Sequence, residues 1–141
     1  MKRRTSIIVV VAVAVAAGAV FFAQLTATAP AQVATAGRSA TFQDYAPEAV
    51  SSATADDTVV LFFHATWCST CKLLADDITA NADSIPDTVR ILLVDFDTAT
   101  DLKQRYGVTL QHTLVQVDST GDAVERWHLT RTLDELLDLL V

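Results

Sequence analysis

This 141-residue chain has only two cysteines, Cys68 and Cys71. That is too few for a four-cysteine zinc or iron–sulfur site, and too few for a miniprotein stapled by several disulfides. Acidic residues are missing from the start of the chain, where none precedes Asp44. Basic residues are scarce everywhere else: of ten, three are Lys2, Arg3 and Arg4, so beyond residue 4 seven basic residues face 17 acidic ones. A domain with that balance does not grip a phosphate backbone by charge, which excludes nucleic acid as a partner. Apolar residues, by contrast, make up 51% of the chain, which excludes a disordered polar chain.

Much of the apolar excess lies in Ile7–Ala23, an uncharged run directly after the basic tip. The run is apolar all round, so it has no amphipathic face to lay on a globular core. Its length is at the short end for a membrane span and a little long for the apolar part of a signal peptide. The sequence therefore predicts a basic cytoplasmic tip at 1–6 and a transmembrane anchor or signal segment at 7–25. Small-residue cleavage patterns at Ala29-Pro30-Ala31 and Ala34-Thr35-Ala36 keep a secreted product as the alternative. No cysteine lies near the end of the run, so lipid attachment there is excluded. Positive charge stays on the cytoplasmic side, so either reading puts the rest of the chain outside the cytoplasm, where cysteine pairs persist oxidised. Residues 26–40 are mostly Ala and Thr with Gln, Pro, Ser, Val, one Gly and one Arg, show no apolar period and read as a flexible tether.

Residues 41–141 read as one α/β domain. Pro47 with Ala49 and Val50 suggests a short helix ended by Asp56-Asp57. Val59–His64 and Val89–Val94 are continuous β-forming runs, the mark of strands buried on both faces. Between them, a helix is expected from about Cys68, with Leu73, Leu74, Ile78 and Ala82 at helical spacing, closed between Asn81 and Asp87. Thr100–Tyr106 reads as a helix stopped by Gly107. Thr113–Val117 and Val124–His128 flank Ser119-Thr120-Gly121 as an antiparallel hairpin. Thr132 and Glu135 form a capping box for a last helix facing inward through Leu133, Leu136, Leu137 and Leu140. This order implies a mixed sheet with helices on both faces.

The chemistry concentrates in Trp67-Cys68-Ser69-Thr70-Cys71-Lys72, where a buried strand hands over to a helix. Cys68 falls at the helix N-terminus, where unpaired amides and the helix dipole favour the thiolate nucleophile. Cys71 lies one turn below on the same face. It is placed to resolve a mixed disulfide formed by Cys68, so the pair can pass between dithiol and disulfide.

In these features, residues 59–141 resemble the thioredoxin family. The matching marks are the strand–Trp-Cys-x-x-Cys-Lys–helix unit, Val94-Asp95-Phe96-Asp97, Tyr106-Gly107-Val108, the Thr113–Val117 strand, the glycine-containing hairpin and the terminal helix. The resemblance implies a thioredoxin-like fold and dithiol–disulfide exchange through a Cys68–Cys71 redox-active disulfide. It implies that Trp67 shields the dithiol and that the loop Thr109–Thr113 lies against it and binds substrate backbone. Four departures stand out. His112 occupies the place of the family's cis-proline, and a non-proline cis bond costs about 2.5–4 kcal/mol, so the Gln111–His112 peptide is expected trans. Phe62 stands where the family has a buried acid that serves the second cysteine. Asp76 replaces the proline that kinks the active-site helix, so a straighter helix is expected. Ser69-Thr70 replaces Gly-Pro between the cysteines.

Several polar residues near the motif are further candidates. His112 is expected close to Cys68, where an imidazolium would stabilise its thiolate or the ring would shuttle protons for Cys71. His64, at the end of the strand before the motif, is a weaker candidate for the same roles. His128 is expected far from the motif. Lys72 is a candidate support for the thiolate. Asp76 and Asp77 read as a solvated helix face, Asp95 and Asp97 as loop caps, and Trp127 as a hairpin core or edge residue.

The leading expectation is a membrane-tethered, monomeric thiol–disulfide oxidoreductase outside the cytoplasm. It would act on cysteine-containing proteins and be recycled by a separate redox partner, with no bound cofactor. A second reading is a metal-binding protein, with Cys68, Cys71 and His112, with or without His64, as soft ligands for Cu(I) or Zn(II). A third is an adaptor with a static disulfide.

Overall fold

The structure, a computed structural model, describes residues 41–141. The segments 7–25 and 26–40, where an anchor and a tether are expected, lie outside the described residues. None of the described helices is long and apolar enough to cross a membrane.

In chain order the elements are β1 (Phe42–Asp44), α1 (Pro47–Ser51), β2 (Thr58–His64), α2 (Ser69–Ala80), a 3-10 turn (Ala82–Ser84), β3 (Val89–Asp95), α3 (Thr100–Tyr106), β4 (Thr113–Val117), β5 (Ala123–His128) and α4 (Leu133–Leu139). They follow the expected order with two additions, β1 and the 3-10 turn. Phe42 is the only apolar residue of that short strand, so it carries no periodic signal, yet its ring is buried against the sheet it extends. α1 also stops earlier than Asp56-Asp57. The Asp57 carboxylate instead accepts from the Thr54 amide and from Arg90.

The five strands form one mixed sheet in the order β1-β3-β2-β4-β5. β1 and β2 run parallel to β3, whereas β4 is antiparallel to both β2 and β5. β2 is central, and the two-residue period of a strand divides its side chains between the faces. Val60 and Phe62 join Leu74, Ile78, Leu133 and Leu136 under α2 and α4. Val59, Leu61 and Phe63 join Tyr106, Val108 and Val117 on the opposite face. Because β2 is covered on both faces, its apolar run shows no alternation in sequence. Truncating a fully buried ring such as Phe62 to alanine would cost about 3–5 kcal/mol.

The helix ends follow their local chemistry. Gly107 closes α3 at φ 61°, a left-handed conformation that glycine adopts without the Cβ penalty. Thr132 caps α4 by accepting from the Glu135 amide at 3.2 Å. The Glu135 carboxylate accepts from the Arg131 amide at 2.7 Å, one residue ahead of the capping-box position expected for it. α2 runs unbroken through Asp76, where a proline would have interrupted its hydrogen bonds.

Candidate active site around Cys68 and Cys71

Cys68 is the N-cap of α2 and Cys71 lies in its first turn, as the spacing predicts. The two are joined as a disulfide with their Cα atoms 5.2 Å apart. The Cys68 sulfur accepts from the Cys71 amide at 3.2 Å, so it satisfies one of the unpaired amides at the start of the helix. A thiolate there gains from that bond and from the helix dipole. Both residues are buried, Cys71 completely and Cys68 to 6% exposure.

β4 carries the other half of the site. The His112 amide donates to the Phe63 carbonyl at 2.8 Å, which fixes the start of β4 beside the end of β2. The peptide bonds of the described residues are all trans, Gln111–His112 included. His112 itself lies in the left-handed region at φ 58°. Its ring is 1% exposed and packs against Phe62, with ring centroids 5.5 Å apart. Nε2 lies 2.7 Å from the Thr130 carbonyl oxygen, which can only accept, so Nε2 carries the proton. Nδ1 then presents a lone pair, and the Thr70 hydroxyl at 3.0 Å donates to it. The same hydroxyl oxygen is 3.3 Å from the Cys68 sulfur. Thr70 therefore stands between imidazole and sulfur, a link the sequence reading did not assign.

The surroundings of the ring in the disulfide form work against the imidazolium expected beside Cys68. Burial pushes the His112 imidazole below its ordinary value; the bond to the Thr130 carbonyl opposes this, and nearby His128 adds to it. The expected distance of His128 is corrected. The antiparallel register sets His128 opposite Thr113, with Nδ1 3.1 Å from the Thr113 hydroxyl, because the hairpin brings the end of β5 back to the start of β4.

The other candidates fall elsewhere. The Lys72 ammonium is 2.7 Å from the Asp76 carboxylate on the exposed face of α2, so it is engaged away from the sulfurs. His64 packs edge-on to Phe62 and pairs across the sheet with Asp95, outside the cysteine–histidine cluster. Asp95 caps a turn through the Thr98 amide, and that bond holds its carboxyl below the usual range. Asp97 does more than cap a loop: it accepts from the Trp67 indole Nε1 at 3.0 Å and so fixes the ring next to the motif. Asp77 accepts from the Leu133 amide at 2.7 Å, tying α2 to the start of α4, so it is not simply a solvated residue. Trp127 packs partly buried against the core. Trp67, Leu73, Leu110 and Leu129 are exposed, and Leu73 and Leu129 line a groove together with Thr70, His112 and Arg131.

The Thioredoxin family model matches residues 39–141. The chain belongs to the thioredoxin family. A thioredoxin from Chlamydia trachomatis is 34% identical over 61% of this chain and 82% of its own length. The mitochondrial Thioredoxin-3 of Saccharomyces cerevisiae is 35% identical over 43% of this chain; that match spans 46% of the yeast protein. Among solved structures, Trxlp from Edwardsiella tarda superposes with a TM-score of 0.59 at 27% identity, covering 71% of this chain and 98% of that one. A thioredoxin fold bearing this bonded cysteine pair is a thiol–disulfide oxidoreductase.

Proposed function

We propose that the protein exchanges disulfides with cysteine-bearing proteins outside the cytoplasm, as a monomeric domain tethered by its N-terminal apolar segment. The observation that carries the division of labour is the placement of the two cysteines on α2: Cys68 is its N-cap, where the sulfur accepts an amide hydrogen bond, and Cys71 is wholly buried in the first turn. In the reducing direction, the Cys68 thiolate attacks one sulfur of a substrate disulfide. The other substrate sulfur leaves as a thiolate, and a Cys68–substrate disulfide forms. The Cys71 thiolate then attacks Cys68, releases the second substrate thiolate and closes the Cys68–Cys71 bond. The reverse sequence oxidises a substrate dithiol. Trp67 beside Cys68 is exposed, and the exposed Leu73 and Leu129 line the groove that holds Thr70 and His112; an apolar surface of this kind suits a protein substrate. Extracytoplasmic placement rests on the basic tip and the apolar run alone.

Replacing Cys71 with serine removes the resolving thiol, so covalent complexes should accumulate through Cys68 in intact cells. Cys68→Ser should abolish them. Equal trapping by both variants, or by neither, overturns the assignment. A membrane-impermeant maleimide that fails to label reduced Cys68 in intact cells overturns the placement.

A further inference from the structure

Cys68, Cys71 and His112 each offer one metal-binding atom, and the three atoms lie within 4.8 Å of one another. We propose that the reduced protein binds one Cu(I) ion in a three-coordinate site made by Cys68 Sγ, Cys71 Sγ and His112 Nδ1, an activity separate from disulfide exchange.

The spacing suits one ion. Metal–sulfur and metal–nitrogen bonds of about 2.0–2.3 Å set the ligands of a trigonal ion roughly 3.5–4 Å apart, so only small shifts are needed once the disulfide is reduced. The histidine is already prepared for coordination. Its Nε2–H donates to the Thr130 carbonyl at 2.7 Å, which fixes the tautomer that leaves the Nδ1 lone pair directed at the Thr70 hydroxyl and, past it, the Cys68 sulfur. A carbonyl behind the imidazole is the usual support for a metal-bound histidine. When the ion takes the Nδ1 lone pair, the Thr70 hydroxyl is freed to donate to the coordinated Cys68 sulfur beside it.

The ligand set selects the ion. Two thiolates and an imidazole are soft donors that suit Cu(I). Structural Zn(II) asks for four ligands, and among the described residues the cluster has three members, all buried. Charge balances: two thiols and one Cu(I) give a dithiolate complex and two released protons. The disulfide form has no thiolate to offer, so binding is confined to the reduced state, and a bound ion blocks Cys68 as a nucleophile.

The test uses the full chain, reduced and without oxygen, titrated with Cu(I) against a chromophoric Cu(I) chelator. One equivalent should bind, and X-ray absorption of the parent complex should show two sulfurs and one nitrogen around copper. His112→Ala should weaken binding at least tenfold. A two-sulfur shell without nitrogen in the parent overturns the site without reliance on any variant, as does unchanged affinity in a folded His112→Ala protein. Tighter binding of Zn(II) in a four-coordinate shell overturns the choice of ion. Disulfide exchange measured on metal-free protein is independent of all these outcomes, so failure here leaves the exchange reading standing.

Discussion

Thr70 and His112 meet across the active site: the Thr70 hydroxyl lies 3.0 Å from His112 Nδ1, and its oxygen is 3.3 Å from the Cys68 sulfur. The contact joins the first turn of α2 to the start of β4, two segments that are 42 residues apart in the chain. It exists because the left-handed turn at His112 sends the ring inward, where Phe62 and the Thr130 carbonyl hold it.

Thr70→Val keeps the shape of the side chain and removes the hydroxyl beside the nucleophile. On reduction the hydroxyl can turn its proton from Nδ1 to the Cys68 thiolate, and a hydrogen bond of that kind contributes about 1 kcal/mol, roughly fivefold in rate or population. Reduced Cys68 should therefore react with iodoacetamide about fivefold more slowly near neutral pH, with the folded structure intact. An unchanged rate would show that the hydroxyl serves only His112.

Leu129 is a non-glycine residue at φ 61° and is 64% exposed. A left-handed residue with a Cβ carries about 1–2 kcal/mol of strain, and glycine in its place costs about 0.5–1 kcal/mol of unfolded-chain entropy. Leu129→Gly should then stabilise the fold by up to about 1 kcal/mol in urea denaturation. It should also slow exchange with a protein disulfide several-fold more than with a small aromatic disulfide, because the groove loses an apolar wall. A loss of stability would mean that the leucine packs better than its exposure implies.

Asp77→Ala removes the acceptor for the Leu133 amide and uncouples α2 from the start of α4. Loss of a helix N-terminal partner costs about 1 kcal/mol. The midpoint of urea unfolding should fall accordingly, with faster hydrogen exchange in α4 than in α2. Protection lost equally in both helices would contradict a local cap.

Acid should loosen the β4–β5 turn. The Asp118 carboxyl is held below its ordinary value first by the Thr120 hydroxyl and then by the Asp122 amide. A depressed folded-state pKa means that the unfolded chain takes up its proton first as pH falls. The contribution is thus complete above about 3.8 and disappears as pH drops through the lower folded value. Asp118→Asn should flatten this acid limb and leave stability at pH 7 slightly reduced, as read by urea denaturation across pH 2–7.

Most of the domain was legible because its signals are local. The apolar runs of β2 and β3 announce buried strands, Gly107 a helix stop, and Thr132 a cap. The Cys-x-x-Cys spacing at a helix start already places two sulfurs one turn apart, which is why the redox pair could be named from residues 67–72 alone. β1 escaped notice because three residues with one apolar side chain carry no period, and its place depends on the β3 edge.

Apart from β1, the sequence by itself thus determined the main elements, the reactive pair and the strongly acidic domain, since each follows from neighbouring residues and backbone geometry. Only the tertiary structure decided what the pair faces. The β4–β5 register returned His128 to the start of β4, Asp97 turned out to anchor Trp67, and Asp77 to cap a helix more than 50 residues on. The state of His112 was decided in the same way. Its exposure, tautomer and charge depend on Phe62, Thr70 and Thr130 arriving from three separate segments, and desolvation has no sequence signature of its own.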